Sequence, residues 1–148
     1  MKTITKSPDI KTQDLIYNPI VKYKTTKKIQ VMRVELDEKF TRIDFAYNTD
    51  SKYINGGWVQ MHYSCFIRAV NSDLKLSLIK AVNIPLAPKK HFFKTTKDCL
   101  YYTLYFPTLS INTKAIDIIE METNDSNYFN FYEVTTERIE KEVINVLN

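Results

Sequence analysis

Two glycines, two cysteines, two histidines and one tryptophan are all that 148 residues hold of these types. Each scarcity removes a class of chemistry. Two glycines cannot line a phosphate-cradling loop, and neither G-x-x-x-x-G-K-[ST] nor G-x-G-x-x-G occurs. Cys65 and Cys99 are too few for a disulfide framework. Two buried thiols are the expected state, with a single bridge between them as the alternative. His62 and His91 form no H-E-x-x-H, and C-x-x-C and G-x-S-x-G are missing too. No catalytic residue, metal or cofactor is therefore expected. Long apolar runs are also missing. No window of about 20 residues is free of charge, which leaves no span for a membrane. The opening MKTITKSPDIKTQDLIYNPIV lacks the apolar core of a signal peptide, and the expected location is cytoplasmic.

Aromatic residues are plentiful: ten Tyr and eight Phe against those two Gly favour strands. The organising stretch is Cys99 to Glu120. Leu100, Tyr102, Leu104 and Phe106 alternate with Tyr101, Thr103 and Tyr105, a period of two with large side chains on both faces. That pattern predicts a central strand. Pro107 ends it, because proline cannot donate a ladder hydrogen bond. A loop over Thr108–Lys114 leads to a second apolar strand, Ala115 to Met121. Asp117 sits inside that strand, so it must lie near solvent or accept hydrogen bonds.

Three regions follow from composition. Residues 1–28 carry seven Lys against two Asp and read as a basic arm or an added edge strand near Leu15–Tyr23. Residues 29–134 read as one β-sandwich domain. Its first hairpin places Met32, Val34 and Leu36 before a turn at Asp37–Lys39, then Thr41, Ile43, Phe45 and Tyr47 after it. Gly56-Gly57 is the best tight-turn site. Trp58 follows as a core or rim plug. Strands are predicted over Val59–Val70 and Leu74–Val82, an extended Ile84–Pro88, and a last strand over Tyr128–Val134. Residues 135–148 read as a closing helix, with Thr135 or Thr136 as N-cap and a stripe of Ile139, Val143, Val146 and Leu147. Charge is polarised. The first 28 residues carry +5, while residues 117–148 hold eight acids against Arg138 and Lys141, or −6.

Leu100, Tyr102, Leu104, Phe106, Pro107 and Leu109 lead to Ile116, Asp117, Ile119 and Glu120. Phe129, Asn130, Phe131 and Tyr132 come later, with Trp58 and Ile84-Pro85-Leu86-Ala87-Pro88 upstream. This spacing resembles a group of poorly characterised bacterial immunoglobulin-like β-sandwich domains over roughly residues 29 to 134. The resemblance implies an immunoglobulin-like β-sandwich, and together with the alternation and the closing stripe the expected fold is an all-β, antiparallel, immunoglobulin-like sandwich of about seven strands with a short C-terminal helix. It brings no catalytic motif.

The candidate binding segment is Lys89, Lys90, His91, Phe92, Phe93, Lys94 and Lys97, where four lysines and a histidine surround two phenylalanines. Basic and aromatic residues together are what a single-stranded nucleic-acid groove uses. An ordinary loop anchored by two Phe looks the same. Asp117, Glu120 and Glu122 are the candidate carboxylates, with Glu120 and Glu122 expected on one strand face and Asp117 on the other. His62 and Cys65 are expected on opposite faces of a strand, unsuited to sharing a metal. The leading function is a non-enzymatic protein-interaction module with an unidentified protein partner. The alternative is a single-stranded nucleic-acid binder using the basic arm and the Lys89–Lys97 loop. A hydrolase with a carboxylate site is third. Far-ultraviolet circular dichroism of the full chain is expected to be dominated by strand, and a mostly helical spectrum would contradict the alternation.

Overall fold

The computed structural model describes residues 13–49, 52–110, 112–123, 125 and 127–137. Among them are twelve strands in two five-stranded sheets and a two-stranded ribbon. The first sheet holds β1 (Gln13–Tyr17), β3 (Ile29–Asp37), β4 (Thr41–Asn48), β10 (Cys99–Phe106) and β8 (Lys80–Val82), side by side in that order. The second holds β2 (Val21–Lys24), β12 (Asn130–Thr135), β11 (Ala115–Ile119), β6 (Phe66–Ala69) and β7 (Leu76–Ser77). The ribbon pairs β5 (Trp58–Val59) with β9 (His91–Phe92). Each of these ladders is antiparallel.

β10 is central, hydrogen-bonded to β4 on one side and β8 on the other. Its alternation sends Leu100, Tyr102, Leu104 and Phe106 inward, while Tyr101 stays exposed. From the facing sheet come Ile67, Ile116, Ile118, Phe131 and Val134, all buried in the same cluster. Phe45 of β4 lies stacked on Tyr102, with centroids 4.8 Å apart, and also meets Phe131 of the other sheet at 5.6 Å. That contact joins the two layers.

The β3–β4 hairpin forms as its pattern predicts, with one change of phase. A bulge between Val31 and Arg33 shifts the register, so Ile29 and Val31 point inward together with Val34 and Leu36. Strict alternation would have put Val31 outside, and an extra residue on one strand resets the face. On the outer side, Arg33 lies opposite Asp44 and holds it with Nε and a terminal nitrogen, each 2.8 Å away. Arg42 and the Thr103 hydroxyl complete the set around Asp44.

Four corrections to the sequence reading have physical causes. The strand count is twelve and not about seven, because residues 13–24 supply an edge strand to each sheet, crossing at Asn18-Pro19-Ile20, and the stretch from Trp58 to Phe92 breaks into five short strands. The predicted Val59–Val70 strand is interrupted. His62–Cys65 is a turn closed by the Cys65 N–H on the His62 carbonyl, so the opposite-face argument for His62 and Cys65 does not apply. The predicted Leu74–Val82 strand is divided between sheets. The Leu78 N–H donates to the Cys65 carbonyl, on the β6 side, and the Ile79 N–H to Tyr105 on β10. One peptide step carries the chain across the sandwich edge, leaving Ile79 exposed. Finally, the last strand runs Asn130–Thr135 and not Tyr128–Val134, because the Phe129 N–H is taken by Glu120, and beyond it the Thr136 hydroxyl donates to the Thr113 carbonyl 3.0 Å away. The rest of the expected closing helix, from residue 138 on, lies outside the described residues.

No helix of the described residues is long and apolar enough to cross a membrane. Leu104 is 1% exposed at the centre of β10. Leu104→Ala is expected to destabilise the fold by about 2–5 kcal/mol, since truncation leaves a cavity in a packed layer. Chemical denaturation measures this, and a loss under about 1 kcal/mol would remove β10 from the core.

Candidate functional site

Six segments distant in sequence converge on one open cleft of about 590 Å³. Thr25–Lys28 follows β2. Tyr47 ends the inward face of β4. Lys52 and Tyr53 precede the glycine turn, and Trp58, Val59 and Gln60 run through β5. Glu120 follows β11, and Asn127–Phe129 leads into β12.

Local chemistry fixes each wall. The Thr25 hydroxyl donates to the Tyr128 carbonyl at 2.7 Å, and the Asn130 N–H donates back to that hydroxyl at 3.0 Å. This ties the arm to the second sheet. The Asn48 N–H donates to the Lys28 carbonyl at 2.8 Å and ties the same arm to the first. Gly56 and Gly57 both have positive φ, +87° and +77°. A Cβ on Gly56 would collide with the Thr95 carbonyl, so the turn needs glycine for space as well as for conformation. The turn delivers Trp58 to the rim, 45% exposed. The Phe93 N–H donates to the Gly57 carbonyl at 2.9 Å, and Phe93 stacks on Tyr47, centroids 5.3 Å apart and rings 8° from parallel.

The deep wall is Glu120, 3% exposed. Its Oε2 accepts the His62 N–H and its Oε1 the Phe129 N–H, both at 2.8 Å. Its own N–H donates to Asn130 Oδ1, and the Ser64 hydroxyl donates to its carbonyl. One residue thus holds the turn at 62–64, the end of β11 and the start of β12. Burial pushes its carboxyl up to about 7, and the two N–H donors only partly offset that. Nearby, Gln60 Oε1 is buried without a donor among the described residues.

Aromatic faces on the rim carry cations. The Lys28 ammonium lies 4.5 Å from the Tyr53 ring centroid and that of Lys52 5.5 Å away. Lys90 covers Trp58 at 4.5 Å. The surroundings are apolar and open: Ile54 is 90% exposed, Phe92 65% and Tyr53 45%. Phe92 is the register partner of Trp58, which puts the two side chains on one face of the ribbon.

The predicted Lys89–Lys97 segment is divided by this geometry. Phe93 is buried as an anchor under Tyr47, with the His91 ring edge-on against it. Phe92 and Lys90 sit at the rim beside Trp58. Lys89, Lys94 and Lys97 are exposed and do not line the cleft. Lys27, Lys28, Lys52, Tyr53, Gln60 and Tyr128 line it and were not singled out as a group from the sequence. The only advance signal was Gly56-Gly57 directly before the single tryptophan.

The three carboxylates divide differently from the expected strand faces. Asp117 accepts the Glu133 N–H left free by a bulge in β12, at 3.0 Å, and pairs with Arg68 at 3.3 Å. Arg68 also reaches Glu122 at 3.4 Å, and Lys75 holds Glu122 at 2.6 Å. Asp117 and Glu122 therefore share a cation, while Glu120 turns to the cleft. Cys65 and Cys99 are free thiols. Cys65 is buried, and that burial raises its thiol far above the ordinary range. His62 Nδ1 meets the Ser64 hydroxyl at 2.8 Å. Among the described residues no group of three or more His, Cys, Asp or Glu is placed to hold a metal ion. Comparison with family models, with curated proteins and with solved structures returns no match.

Glu120 also sets a pH dependence. Its folded carboxyl titrates near 7 against an ordinary 4.5. A raised acid favours the fold only while protonated. That contribution is complete below pH 4.5 and is lost as pH rises to about 7, roughly 3 kcal/mol in all. Denaturation at pH 5 and at pH 8 is expected to show a less stable protein at the higher pH. In Glu120→Gln most of that difference should disappear, with a constant loss from the N–H that the amide cannot accept.

Proposed function

We propose that this chain is a non-enzymatic binding module, built as an immunoglobulin-like sandwich, that holds a protein partner at the cleft and its rim. The carrying observation is the combination of a 590 Å³ cleft with large aromatic side chains that line it and stay in water, Trp58 and Tyr53, each 45% exposed. Burying such groups on folding would have been favourable, so their exposure at one opening fits a surface that is covered by something else. Two antiparallel five-stranded sheets facing each other support the architecture. Their edges and outer faces hold Asp117, Glu122 and Asp44 in ion pairs, an arrangement that serves structure rather than acid–base work.

A second reading is single-stranded nucleic acid, favoured by Lys90 over Trp58 with Phe92 beside it. Salt separates the two. A phosphate contact of this kind weakens steeply and linearly with the logarithm of salt concentration.

The test is capture from the native host with the wild-type chain and with Trp58→Ala. A protein retained by the wild type and lost with the variant is the expected result. A partner held equally by both would move the binding surface away from the cleft.

A further inference from the structure

We propose that the β5–β9 ribbon and the loops beside it form a docking surface for an anionic lipid bilayer. This goes beyond a protein held in the cleft, because Ile54, Leu86 and Phe92, which carry the surface, do not line the cleft. A surface that rests on a bilayer needs no spanning helix. Charge sets the sign of the partner. Between Asp50 and Asp98 the chain holds one acid, Asp73, and it lies in the turn between β6 and β7. Both ribbon strands and the loops beside them therefore carry no carboxylate of their own. Asp98, at the end of the segment, accepts the Cys99 N–H at 2.9 Å. Lys89, Lys90, Lys94 and Lys97 are exposed, and among the described residues none of the four forms an ion pair. Cations left unpaired along one segment favour an anionic partner.

Apolar groups stand among those lysines. Phe92 is 65% exposed and is the register partner of Trp58, over whose ring the Lys90 ammonium lies at 4.5 Å. Leu86, 39% exposed, bridges to Met61 just past β5. Ile54 is 90% exposed, and its turn is tied to the same segment where the Gly57 carbonyl accepts the Phe93 N–H. Exposed apolar groups gathered at one end mark a protein or a membrane site. The kind of cation decides between the two. Protein interfaces are enriched in Arg and depleted of Lys, and all four cations here are Lys. Lysine is a point charge on a flexible stem. Mobile headgroups meet such charges wherever they lie, while the stems rest along apolar surface. Tryptophan sits at the headgroup level, and side chains such as Ile54 and Phe92 reach the acyl boundary. Nucleobases need flat faces to stack on, and Ile54 and Leu86 supply none.

The experiment co-sediments the full chain with vesicles of phosphatidylcholine alone and of phosphatidylcholine mixed with phosphatidylglycerol, and follows the emission of the single tryptophan. Saturable binding to the anionic vesicles is expected, about tenfold or more tighter than to the neutral ones, with Trp58 emission moving to shorter wavelength. The paired change Lys89→Glu and Lys94→Glu should weaken it by about tenfold or more. Phe92→Ser and Ile54→Ser should each weaken it too. With side chains 65% and 90% exposed, both variants keep the fold, which thermal melting checks. No binding to the anionic vesicles overturns the inference. Binding that Phe92→Ser and Ile54→Ser leave unchanged also overturns it, since that is adsorption by charge alone. Oligothymidylate that binds more tightly than the vesicles and strips the chain from them overturns it in favour of nucleic acid. Because the vesicles carry no protein, a negative result removes this surface and leaves the cleft reading in place.

Discussion

The contact between Phe45, Tyr102 and Phe131 is the constraint on which the molecule depends. Phe45 and Tyr102 come from neighbouring strands of one sheet, stacked at 4.8 Å, and Phe131 reaches Phe45 from the other sheet at 5.6 Å. Such ring pairs contribute about 0.5–1.5 kcal/mol beyond the area they bury. Their larger effect is on register. A slip by one residue in β4 would turn Phe45 outward and present Asp44 to the core, and a slip in β12 would turn Phe131 outward. The Tyr102 hydroxyl is buried without a partner among the described residues, and burial raises that phenol well above its ordinary range. The aromatic packing is retained despite that cost, which shows how much the layer contact matters.

Glu120 extends this constraint to the surface. β11 and β12 bring the core residues Ile118, Ile119 and Phe131 into place, and the chain between them must turn without any glycine. Glu120 and Asn130 supply the missing order. Asn130 accepts the Glu120 N–H and donates to the Met121 carbonyl at 2.9 Å, while Glu120 receives Phe129 and His62. Buried polar networks are favourable only when every member is satisfied. Here the carboxyl is satisfied by backbone donors from two loops, so the wall of the cleft is as firmly set as the core behind it. A carboxyl used in this way has both oxygens occupied as acceptors, which suits a fixed wall better than a proton shuttle.

Much of the fold was legible because strand periodicity is a local signal. Leu100 to Phe106 and Thr41 to Tyr47 alternate strictly, and both became neighbouring central strands. The signal failed where phase or sheet changed. The bulge after Val31 reset the inward face, and nothing in Ile29–Leu36 announces an unpaired residue. Leu74 to Val82 kept its apolar content while passing from one sheet to the other at Leu78 and Ile79. Composition alone does not record which sheet a leucine packs against. The cleft was less legible still. Thr25 and Tyr128 meet across 103 positions, and His62 and Glu120 across 58. Lysines at 27 and 52 look like ordinary solvated charge until the sandwich brings them to one opening. The Lys89–Lys97 segment drew attention by density, yet only Lys90 and Phe92 reach the rim, because Phe93 is needed under Tyr47.

The two glycines show how the local and the distant combine. Gly56 lies against the Thr95 carbonyl, in the loop that follows β9, and Gly57 accepts the Phe93 N–H. The turn is therefore locked to the very segment that carries Phe92 and Lys90. With positive φ at both positions, the backbone reverses and holds Trp58 at the rim instead of letting it fold into the core. That Trp58 stays half-exposed reflects backbone geometry that only glycine permits at Gly56. The chain has two glycines, and both lie in the turn directly before its one tryptophan, which stays half-exposed with the exposed Phe92 as its strand partner. A turn that served only to reverse the chain would need neither the buried approach to Thr95 nor the exposed aromatic that follows it.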